Sequence, residues 1–485
     1  MSEIRNLEPK VLWNRFYDLT QIPRPSKKEE AAVAFLKKFG EDLGLETIID
    51  KVGNVIIRKP ATPGMENKKG IILQGHIDMV PQKNSDVEHD FEKDPIDAYV
   101  DGDWVTARGT TLGADNGMGV AAALAVLEAT DLEHGLIEAL ITIDEETGMT
   151  GANGLEPNVL QGDILLNMDS EDEGELYVGC AGGVDVNAEM KYQEVDIDAG
   201  FVAYELAVKG LKGGHSGMDI NIGRANSNKL MFRFFNHLLY NFDLKIASVA
   251  GGSLRNAIPR ESFAVIAVPE SQAADLEKEV VKFDKIYKAE YKDTEPDAEM
   301  NIVKTTLPTK VIEKEVAAKM IKAVFACPHG VERMSASMEG LVETSNNLAI
   351  VKLNEGQFIV NCLVRSSVDT AKTAAMYQIG TVFDLIGADV KFEGEYPGWK
   401  PNMDSQILKT MQKAYENIYN KTPELKGIHA GLECGILGSG YPHWDMISFG
   451  PTIRFPHSPD EKVEIKTVER FWNWLVETLK SVPNK

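Results

Sequence analysis

The sequence has few cysteines and no long apolar run. Its four cysteines, Cys180, Cys327, Cys362 and Cys434, lie far apart and form no CxxC pair. This spacing argues against a disulfide scaffold and against a thiolate zinc site. The longest apolar stretch, GMGVAAALAVL before Glu128, is well short of the ~18–20 residues that a membrane span requires. The sequence therefore predicts neither a disulfide-rich protein nor a membrane-spanning one.

The sequence also has fewer basic than acidic residues. Lysine and arginine number 51 against 74 aspartates and glutamates, which gives a formal charge of −23. Such a chain repels nucleic acid and anionic lipid, so we expect no nucleic-acid partner and no membrane partner. The same negative charge concentrates cations, which suits a metal enzyme. Because the first residues, MSEIRNLEPK, lack the apolar core of a signal peptide, we expect a cytoplasmic protein.

The pattern of secondary structure changes twice along the chain. At 485 residues the chain is too long for one ordinary core. Up to residue 184, helical patterns alternate with short apolar strands, which is typical of an α/β layer on a buried sheet. Residues 185–396 show strands of alternating polarity and long charged helices, and the α/β pattern resumes at 397. We therefore predict an α/β domain, 1–184 and 397–485, that is interrupted by an inserted α+β domain, 185–396.

Histidines and carboxylates recur where apolar strands end. The candidates are His76, Asp78, Asp115, Glu145, Glu146, Asp169 and His457. Each residue alone is more often a cap, a turn former or a solvated side chain. Open α/β sheets, however, place their ligand sites at the carboxyl ends of strands. Mixed imidazole and carboxylate ligands favour zinc, cobalt or manganese, so the set as a whole predicts a metal site.

The segment ITIDEETG places three carboxylates together where a buried strand stops. If the strand continues, Glu145 and Glu146 point to opposite faces and should serve different roles. The alternative is a solvated strand end with no chemical role. Asp144 receives that second interpretation.

Eight segments carry a family resemblance: GHIDMVPQK, GTTLGADNGMGVA, DEETGMTGA, LNMDSEDEGEL, GGHSGMDI, GGSLRNAIPRE, HAGLECG and FGPTIRFPHSPDE. In these segments and their order, the chain resembles the aminoacyl-histidine dipeptidases. They are a group of the co-catalytic zinc peptidases, which also include carnosinases and aminoacylases. The resemblance covers essentially the whole chain. It implies a catalytic domain with a central mixed sheet flanked by helices, and an inserted α+β lid domain.

The resemblance also implies a set of metal ligands. His76 and Asp169 would bind one zinc ion, and Glu146 and His457 would bind the other. Asp115 would bridge the two. Two Zn²⁺ per chain are thus expected, with Co²⁺ or Mn²⁺ as substitutes.

Further roles near the metal ions follow from the same resemblance. Asp78 would accept the other ring N–H of His76 and so fix its tautomer. Glu145 would be the general base, taking a proton from water and returning it to the leaving amine. The family implies a cis peptide bond between Asp115 and Asn116.

The resemblance places most of the substrate contacts in the inserted domain. His215 would stabilise the developing oxyanion, either within its own chain or in a partner subunit. Asn256 and Arg365 resemble substrate clamps, and arginine suits the free carboxylate of a dipeptide. Glu433, which follows the inserted domain, would bind the free amino group. A homodimer is compatible with the resemblance.

The expected reaction is hydrolysis of unblocked dipeptides, Xaa-His and a broader range, by a zinc-bridging hydroxide. One alternative is a deacylase of N-acyl amino acids on the same metal centre. It would need no acceptor for a free amine, so the importance of Glu433 separates the two activities. The other alternative is a non-catalytic binding relative, which the presence of Glu145 and a full ligand set disfavours.

Overall fold

The computed structural model describes residues 3–485, and these form two compact units. The first unit contains residues up to 179 together with 401–427 and 432–485, and the second contains 180–400 and 428–431. The sequence predicts boundaries after 184 and 396, whereas the structure divides after 179 and 400. The peptide groups of Cys180 and Trp399 exchange two hydrogen bonds of 2.9 Å, which ties both residues to the second unit. The sequence does not predict that 428–431 join this unit. There Ala181 N–H donates to the carbonyls of Ile428 and Ala430.

The first segment starts with a 3₁₀ turn, Glu3–Asn6. Its helices are α1 (Lys10–Thr20), α2 (Glu30–Asp42), α3 (Ala114–Glu128), α4 (Glu145–Gly148) and α5 (Thr150–Gly154). Its strands are β1 (Glu46–Ile49), β2 (Val55–Lys59), β3 (Ile71–His76), β4 (Ala98–Asp101), β5 (Trp104–Ala107), β6 (Ile137–Thr142), β7 (Ile164–Asn167) and β8 (Glu175–Cys180).

The inserted and final segments complete the list. The inserted strands are β9 (Gly182–Lys191), β10 (Glu194–Asp196), β11 (Phe201–Lys209), β12 (Gly214–His215), β13 (Lys245–Gly251), β14 (Ala257–Ile258), β15 (Ser262–Pro269), β16 (Glu299–Thr305), β17 (Lys310–Ile312), β18 (Gly330–Met334), β19 (Val342–Asn354), β20 (Gln357–Ser366) and β21 (Asp389–Tyr396). The inserted helices are α6 (Ser227–Leu238), α7 (Ala273–Glu290), α8 (Lys314–Ala326) and α9 (Asp369–Asp384), with a 3₁₀ turn at Glu270–Gln272. The final segment contains β22 (Glu424–Ile428), β23 (Asp445–Ser448), β24 (Ile453–Arg454), β25 (Lys462–Glu464), α10 (Gln406–Tyr419), α11 (Glu433–Gly440) and α12 (Ile465–Ser481).

The main sheet of the first unit is mixed, in the order β1-β2-β6-β3-β7-β23-β8-β22. Strands β6, β3, β7 and β23 run parallel, while β1–β2, β2–β6 and β23–β8 are antiparallel. Every residue of β3 and of β6 is buried, as expected for interior parallel strands. Helix α3 packs against β3 and β6, α2 against β1 and β2, and α10 and α11 against β23. The predicted mixed α/β sheet is confirmed, and the carboxyl ends of its four parallel strands share one edge.

Helix α3 begins irregularly at the edge where those strands end. Its entry residue Gly113 has φ +69°, a conformation that glycine adopts readily. Asp115 and Asn116 have non-helical dihedral angles and are joined by the expected cis peptide bond. Asn116 to Leu127 are all buried. The apolar helix thus anchors a distorted first turn that carries Asp115.

The main sheet of the second unit has the order β16-β11-β15-β13-β19-β20-β9-β21, with β18 paired to β19. Every pairing within it is antiparallel. Strand β11 alternates in part between buried and accessible residues, as the sequence predicts. In neither unit, over residues 3–485, does a helix combine the length and hydropathy needed to cross a membrane.

Candidate metal centre and active site

The first group of candidate ligands forms where β3 and β7 end. His76 is the last residue of β3, and Asp169 comes two residues after β7. His76 Nε2 lies 3.2 Å from Asp115 Oδ1 and 3.3 Å from Asp169 Oδ1. One imidazole nitrogen and two carboxylate oxygens thus converge within 4.8 Å of one another.

A second group forms on the other side of Asp115. His457, between β24 and β25, has its Nε2 3.1 Å from Asp115 Oδ2 and 3.0 Å from Glu146 Oε1. Its backbone lies in the left-handed region at φ +59°, a strained conformation that is more frequent at functional sites. Each oxygen of Asp115 therefore faces a different histidine, so Asp115 belongs to both groups.

The DEETG segment is a helical turn and does not continue the strand. Strand β6 ends at Thr142, Asp144 is left-handed at φ +49°, and helix α4 starts at Glu145. The strand argument for separating Glu145 from Glu146 is therefore wrong. Successive helical residues still point about 100° apart, because a turn takes ~3.6 residues. Side chains of both residues nevertheless approach His76 within one 4.8 Å group.

The interpretation of Asp144 as a solvated strand end is also wrong. Asp144 is only 5% exposed. Its carboxylate accepts hydrogen bonds from the hydroxyls of Thr147 and Thr150, and its N–H donates to Glu29 Oε1 at 3.2 Å. These contacts hold the backbone of the turn that carries Glu145.

Asp78 connects this turn to His76. It is completely buried, with Oδ1 3.3 Å from His76 Nδ1. Its Oδ1 also accepts the N–H of Glu145 at 3.0 Å, and its Oδ2 accepts those of Glu146 at 3.3 Å and the Ser26 hydroxyl at 2.8 Å. The backbone carbonyl of Asp78 also lies 3.1 Å from His76 Nδ1, so Asp78 orients this ring with both its carbonyl and its carboxylate, and the carboxylate also fixes the backbone of both glutamates. Burial raises the pKa of Asp78, but the contacts of its carboxylate lower it to about 2.

Glu461, which the sequence analysis passed over, holds the turn that carries Asp115. It is 2% exposed. Oε2 accepts the N–H groups of Leu112 and Gly113 at 2.7 and 2.9 Å. Oε1 accepts those of Ala114 and Asp115 at 2.7 and 3.1 Å. In the sequence Glu461 stands four residues after His457, in the segment FPHSPDE, and nothing in that segment indicates that the fold buries it.

In the second unit, His215 offers one ring nitrogen as a donor. Its Nδ1 accepts the N–H groups of Gly217 and Met218 at 3.2 and 3.1 Å. The neutral ring therefore carries its proton on Nε2. Burial and nearby Arg365 lower the pKa of His215, which favours this neutral form.

Arg365 is a buried guanidinium with neutral partners. It is 5% exposed, and it donates to Ser216 Oγ at 3.2 Å and to the Tyr396 hydroxyl at 3.1 Å. It makes no ion pair with a carboxylate in the described part of the chain. Asn256 lies on an exposed turn before β14, and its carbonyl accepts the Ser216 N–H at 2.8 Å. Buried cations are usually paired, so Arg365 is suited to an anionic ligand.

Residues 72–481 match Peptidase family M20/M25/M40. The chain belongs to this family.

Two relatives match along their whole length. The cytosol non-specific dipeptidase of Escherichia coli (strain K12) is 44% identical over 485 residues, which cover 100% of both chains. The crystal structure of the aminoacylhistidine dipeptidase from Vibrio alginolyticus has 49% identity and a TM-score of 0.97, covering 100% of this chain and 99% of that one. The aminopeptidase PepT structure from Bacillus cereus ATCC 10987 has 17% identity, a TM-score of 0.56, and coverage of 98% and 99%. This last likeness shows the fold alone.

The charge of the site in this M20/M25/M40 peptidase suits divalent cations. Burial raises the pKa of Asp169 to about 7 and that of Glu145 well above its usual value. The carboxylates of Asp115 and Glu146 raise the pKa of His457 to about 11. Asp169 Oδ1 and Glu146 Oε1 are buried, and each faces an imidazole Nε2, at 3.3 and 3.0 Å. A bound cation would displace the imidazole proton and neutralise these oxygens, so the donor set fits metal ions.

Glu433 is a buried residue of the first unit and has no contact with solvent. It is completely buried, and its Oε2 accepts Gln74 Nε2 at 2.6 Å and Thr142 Oγ1 at 2.9 Å. Its Oε1 has no hydrogen-bond partner in the described residues. Burial raises the pKa of Glu433 to about 7. One oxygen thus remains available to a donor.

Proposed function

We propose that this chain is a metal-dependent dipeptidase that cleaves unblocked dipeptides, Xaa-His and a broader range. Dipeptide hydrolysis and the metallopeptidase class, both predicted from the sequence, are confirmed by the family and by its two full-length relatives. One relative is named for non-specific activity and the other for aminoacyl-histidine substrates, which supports the broader range. Because the Escherichia coli relative is named as a cytosol enzyme, we extend the proposal to a cytoplasmic location.

The observation that carries the proposal is the position of Asp115 between two ligand groups. Its oxygens face His76 Nε2 at 3.2 Å and His457 Nε2 at 3.1 Å. We propose that His76 and Asp169 hold one zinc ion, that Glu146 and His457 hold the other, and that Asp115 is shared. Cobalt or manganese would substitute. The ions, when bound, would lower the pKa of a water molecule and polarise the scissile carbonyl.

Glu145 is the proposed general base and acid. Its carboxylate makes no hydrogen bond or ion pair in the described residues, while its backbone N–H is fixed by Asp78 at 3.0 Å. An unpaired carboxylate on a fixed turn is free to accept a proton from the attacking water. It would then return that proton to the nitrogen of the leaving amine.

The substrate contacts proposed from the resemblance each have a chemical basis. For His215, the proton on Nε2 makes it a donor to a developing oxyanion. For Arg365, the lack of a carboxylate partner supports binding of the substrate carboxylate. Asn256 is proposed as a further substrate clamp. Glu433 is proposed to accept the free amino group through Oε1, the oxygen without a partner.

Hydrolysis of a small dipeptide panel tests the function. The panel contains Xaa-His, Xaa-Gly and an N-acetylated dipeptide, each assayed with and without a chelator. We expect cleavage of both unblocked dipeptides, little cleavage of the acetylated one, and loss of activity on chelation that added zinc restores. Activity that survives chelation would contradict the metal centre. A preference for the acetylated substrate would favour the deacylase alternative.

A further inference from the structure

All the hydrogen bonds that the Glu461 carboxylate makes in the described residues go to one short backbone segment. Each of its two oxygens accepts two N–H groups from residues 112–115, at 2.7 to 3.1 Å. Both oxygens are thus engaged, so Glu461 offers none to a metal ion. Its partner residues lie 346 to 349 positions earlier in the chain. The contact is therefore a tertiary device that fixes the turn before α3.

Arg24 holds the same segment through the carbonyl of Gly113. This arginine is 1% exposed, and its Nη2 donates to the carbonyl of Gly113 at 2.6 Å. Its Nη1 donates to the carbonyl of Ile77 at 2.8 Å, next to His76. The fit is close, since a Cβ on Gly113 would lie 2.5 Å from Arg24 Nη2. The buried carboxylate of Glu461 therefore accepts the N–H groups of residues 112–115, and the buried guanidinium of Arg24 donates to a carbonyl of the same segment.

We propose that Glu461 is a positioning residue that sets the place of the shared ligand Asp115. The inference rests on the proposed function, in which Asp115 serves two ions. Because Glu461 fixes the N–H of Asp115 itself, a shift of the segment moves both Asp115 oxygens together. Loss of Glu461 should therefore weaken both metal positions in parallel, whereas loss of a ligand that serves one ion weakens one position first.

Only a carboxylate satisfies this segment. Four N–H donors need four acceptor sites, which the two oxygens of a carboxylate supply. A glutamine offers one oxygen and one NH₂ group, so two backbone N–H groups would face another donor. Buried donors without acceptors are costly, and the segment would have to move. Glu461→Gln, which changes shape very little, is therefore the informative substitution.

Glu138→Gln is the matched control. Glu138 is also completely buried in the first unit. Its Oε2 accepts the N–H groups of Gln161 and Gly162 at 2.7 and 2.8 Å, and its Oε1 accepts Arg58 Nε at 2.7 Å. The same substitution there removes a buried carboxylate with backbone partners but touches no candidate ligand. It separates general destabilisation from an effect on Asp115.

The experiment measures zinc affinity directly, by titration of the full-length apoprotein against a competing chelator. Wild type should bind two zinc ions per chain. In Glu461→Gln both dissociation constants should rise by about 10- to 100-fold, the range seen when groups that orient metal ligands are removed. Glu138→Gln should keep wild-type zinc affinity, even where its melting temperature falls. At saturating zinc, KM of Glu461→Gln for a dipeptide should stay at the wild-type value.

The outcomes separate the two proposals. Unchanged zinc affinity in Glu461→Gln, or weakening at one position alone, would overturn the role of Glu461 while leaving the two-ion centre. A wild type that binds fewer than two ions would overturn the shared ligand and both proposals with it. If Glu461→Gln does not fold, Arg24→Lys replaces it, because it keeps the charge but loses the fork that reaches Gly113 and Ile77. Weaker zinc binding at both positions is again expected. Wild-type zinc affinity in Arg24→Lys would refute the proposal that residues 112–115 must be held in place for zinc to bind.

Discussion

Replacing Glu145 with glutamine should abolish most turnover and leave the fold and the metal ions in place. The structure separates these effects because the side chain and the backbone of Glu145 have different contacts. The turn is held by the backbone, through the N–H to Asp78 at 3.0 Å and the carbonyl to Met149 N–H at 3.1 Å. The carboxylate itself has no hydrogen bond or ion pair in the described residues.

The expected magnitudes follow from that separation. A substitution that removes no partnered group should change the free energy of unfolding by no more than about 0.5 kcal/mol. Removal of a general base typically lowers kcat by about 10²- to 10⁴-fold. At roughly 1.4 kcal/mol per tenfold, this is about 3 to 6 kcal/mol in the activation barrier. The predicted loss in catalysis thus exceeds the loss in stability several-fold.

Three measurements on one preparation test this prediction. They are kcat and KM on a dipeptide, zinc content by elemental analysis, and the melting temperature. We expect a low kcat with wild-type zinc content and an unchanged melting temperature. Normal turnover would refute the role of Glu145 as base, and loss of a zinc ion would show that it is a ligand.

Further predictions concern one metal ligand, one buried histidine and one substrate contact. Glu146→Ala should bind one zinc ion per chain, measured by elemental analysis, and retention of two would contradict its assignment. Burial and Lys229 lower the pKa of His329 to about 3, and its Nδ1 faces the N–H of Leu348 at 3.4 Å. Because the unfolded chain protonates this histidine first, near pH 6.5, stability should fall as pH drops below that value, by about 1.4 kcal/mol per unit. His329→Asn should reduce the slope of denaturant-derived stability between pH 6.5 and 4.5 by about 1.4 kcal/mol per unit, leaving the contribution of His429, whose pKa burial lowers to about 3 as well; an unchanged slope would refute the interpretation. Arg365→Met should lose the preference for a dipeptide over its C-terminal amide, by about 10-fold or more in kcat/KM; an intact preference would exclude Arg365 as the carboxylate contact.

The elements that position the site could be predicted from local sequence pattern. Apolar runs such as those of β3 and β7 identify interior strands because a parallel strand is covered on both faces. Once the strands are located, ligands at their ends follow, and His76 and Asp169 lie there in the structure. The inserted unit could be predicted because its strands alternate polar and apolar residues, whereas those before it are apolar throughout.

The turn at Asp144 could not be predicted in the same way. Four helical residues show too short a pattern to separate from a strand end. Their conformation depends on Asp78, which precedes them by more than 60 residues in the sequence and accepts hydrogen bonds from two of their N–H groups. Threonine hydroxyls then satisfy the Asp144 carboxylate. The local sequence contains the hydrogen-bond donors and acceptors, but it does not determine which donor pairs with which acceptor.

Glu461 and Arg24 illustrate the same limit more strongly. Single charged residues in a surface-like context give no sign that the fold will bury them. Only the approach of segments about 350 residues apart creates the four N–H contacts of Glu461. The short segment 428–431 belongs to the second unit, and its place there could not be predicted for the same reason.

Anomalous diffraction from crystals of the zinc-loaded protein would locate the metal ions around Asp115. We predict two zinc peaks per chain, about 3.5–4 Å apart, one on each oxygen of Asp115. His76 and Asp169 should complete one position, and Glu146 and His457 the other. A single peak would contradict the two-ion centre, and an ion bound by the Glu145 carboxylate would contradict the role of Glu145 as the base.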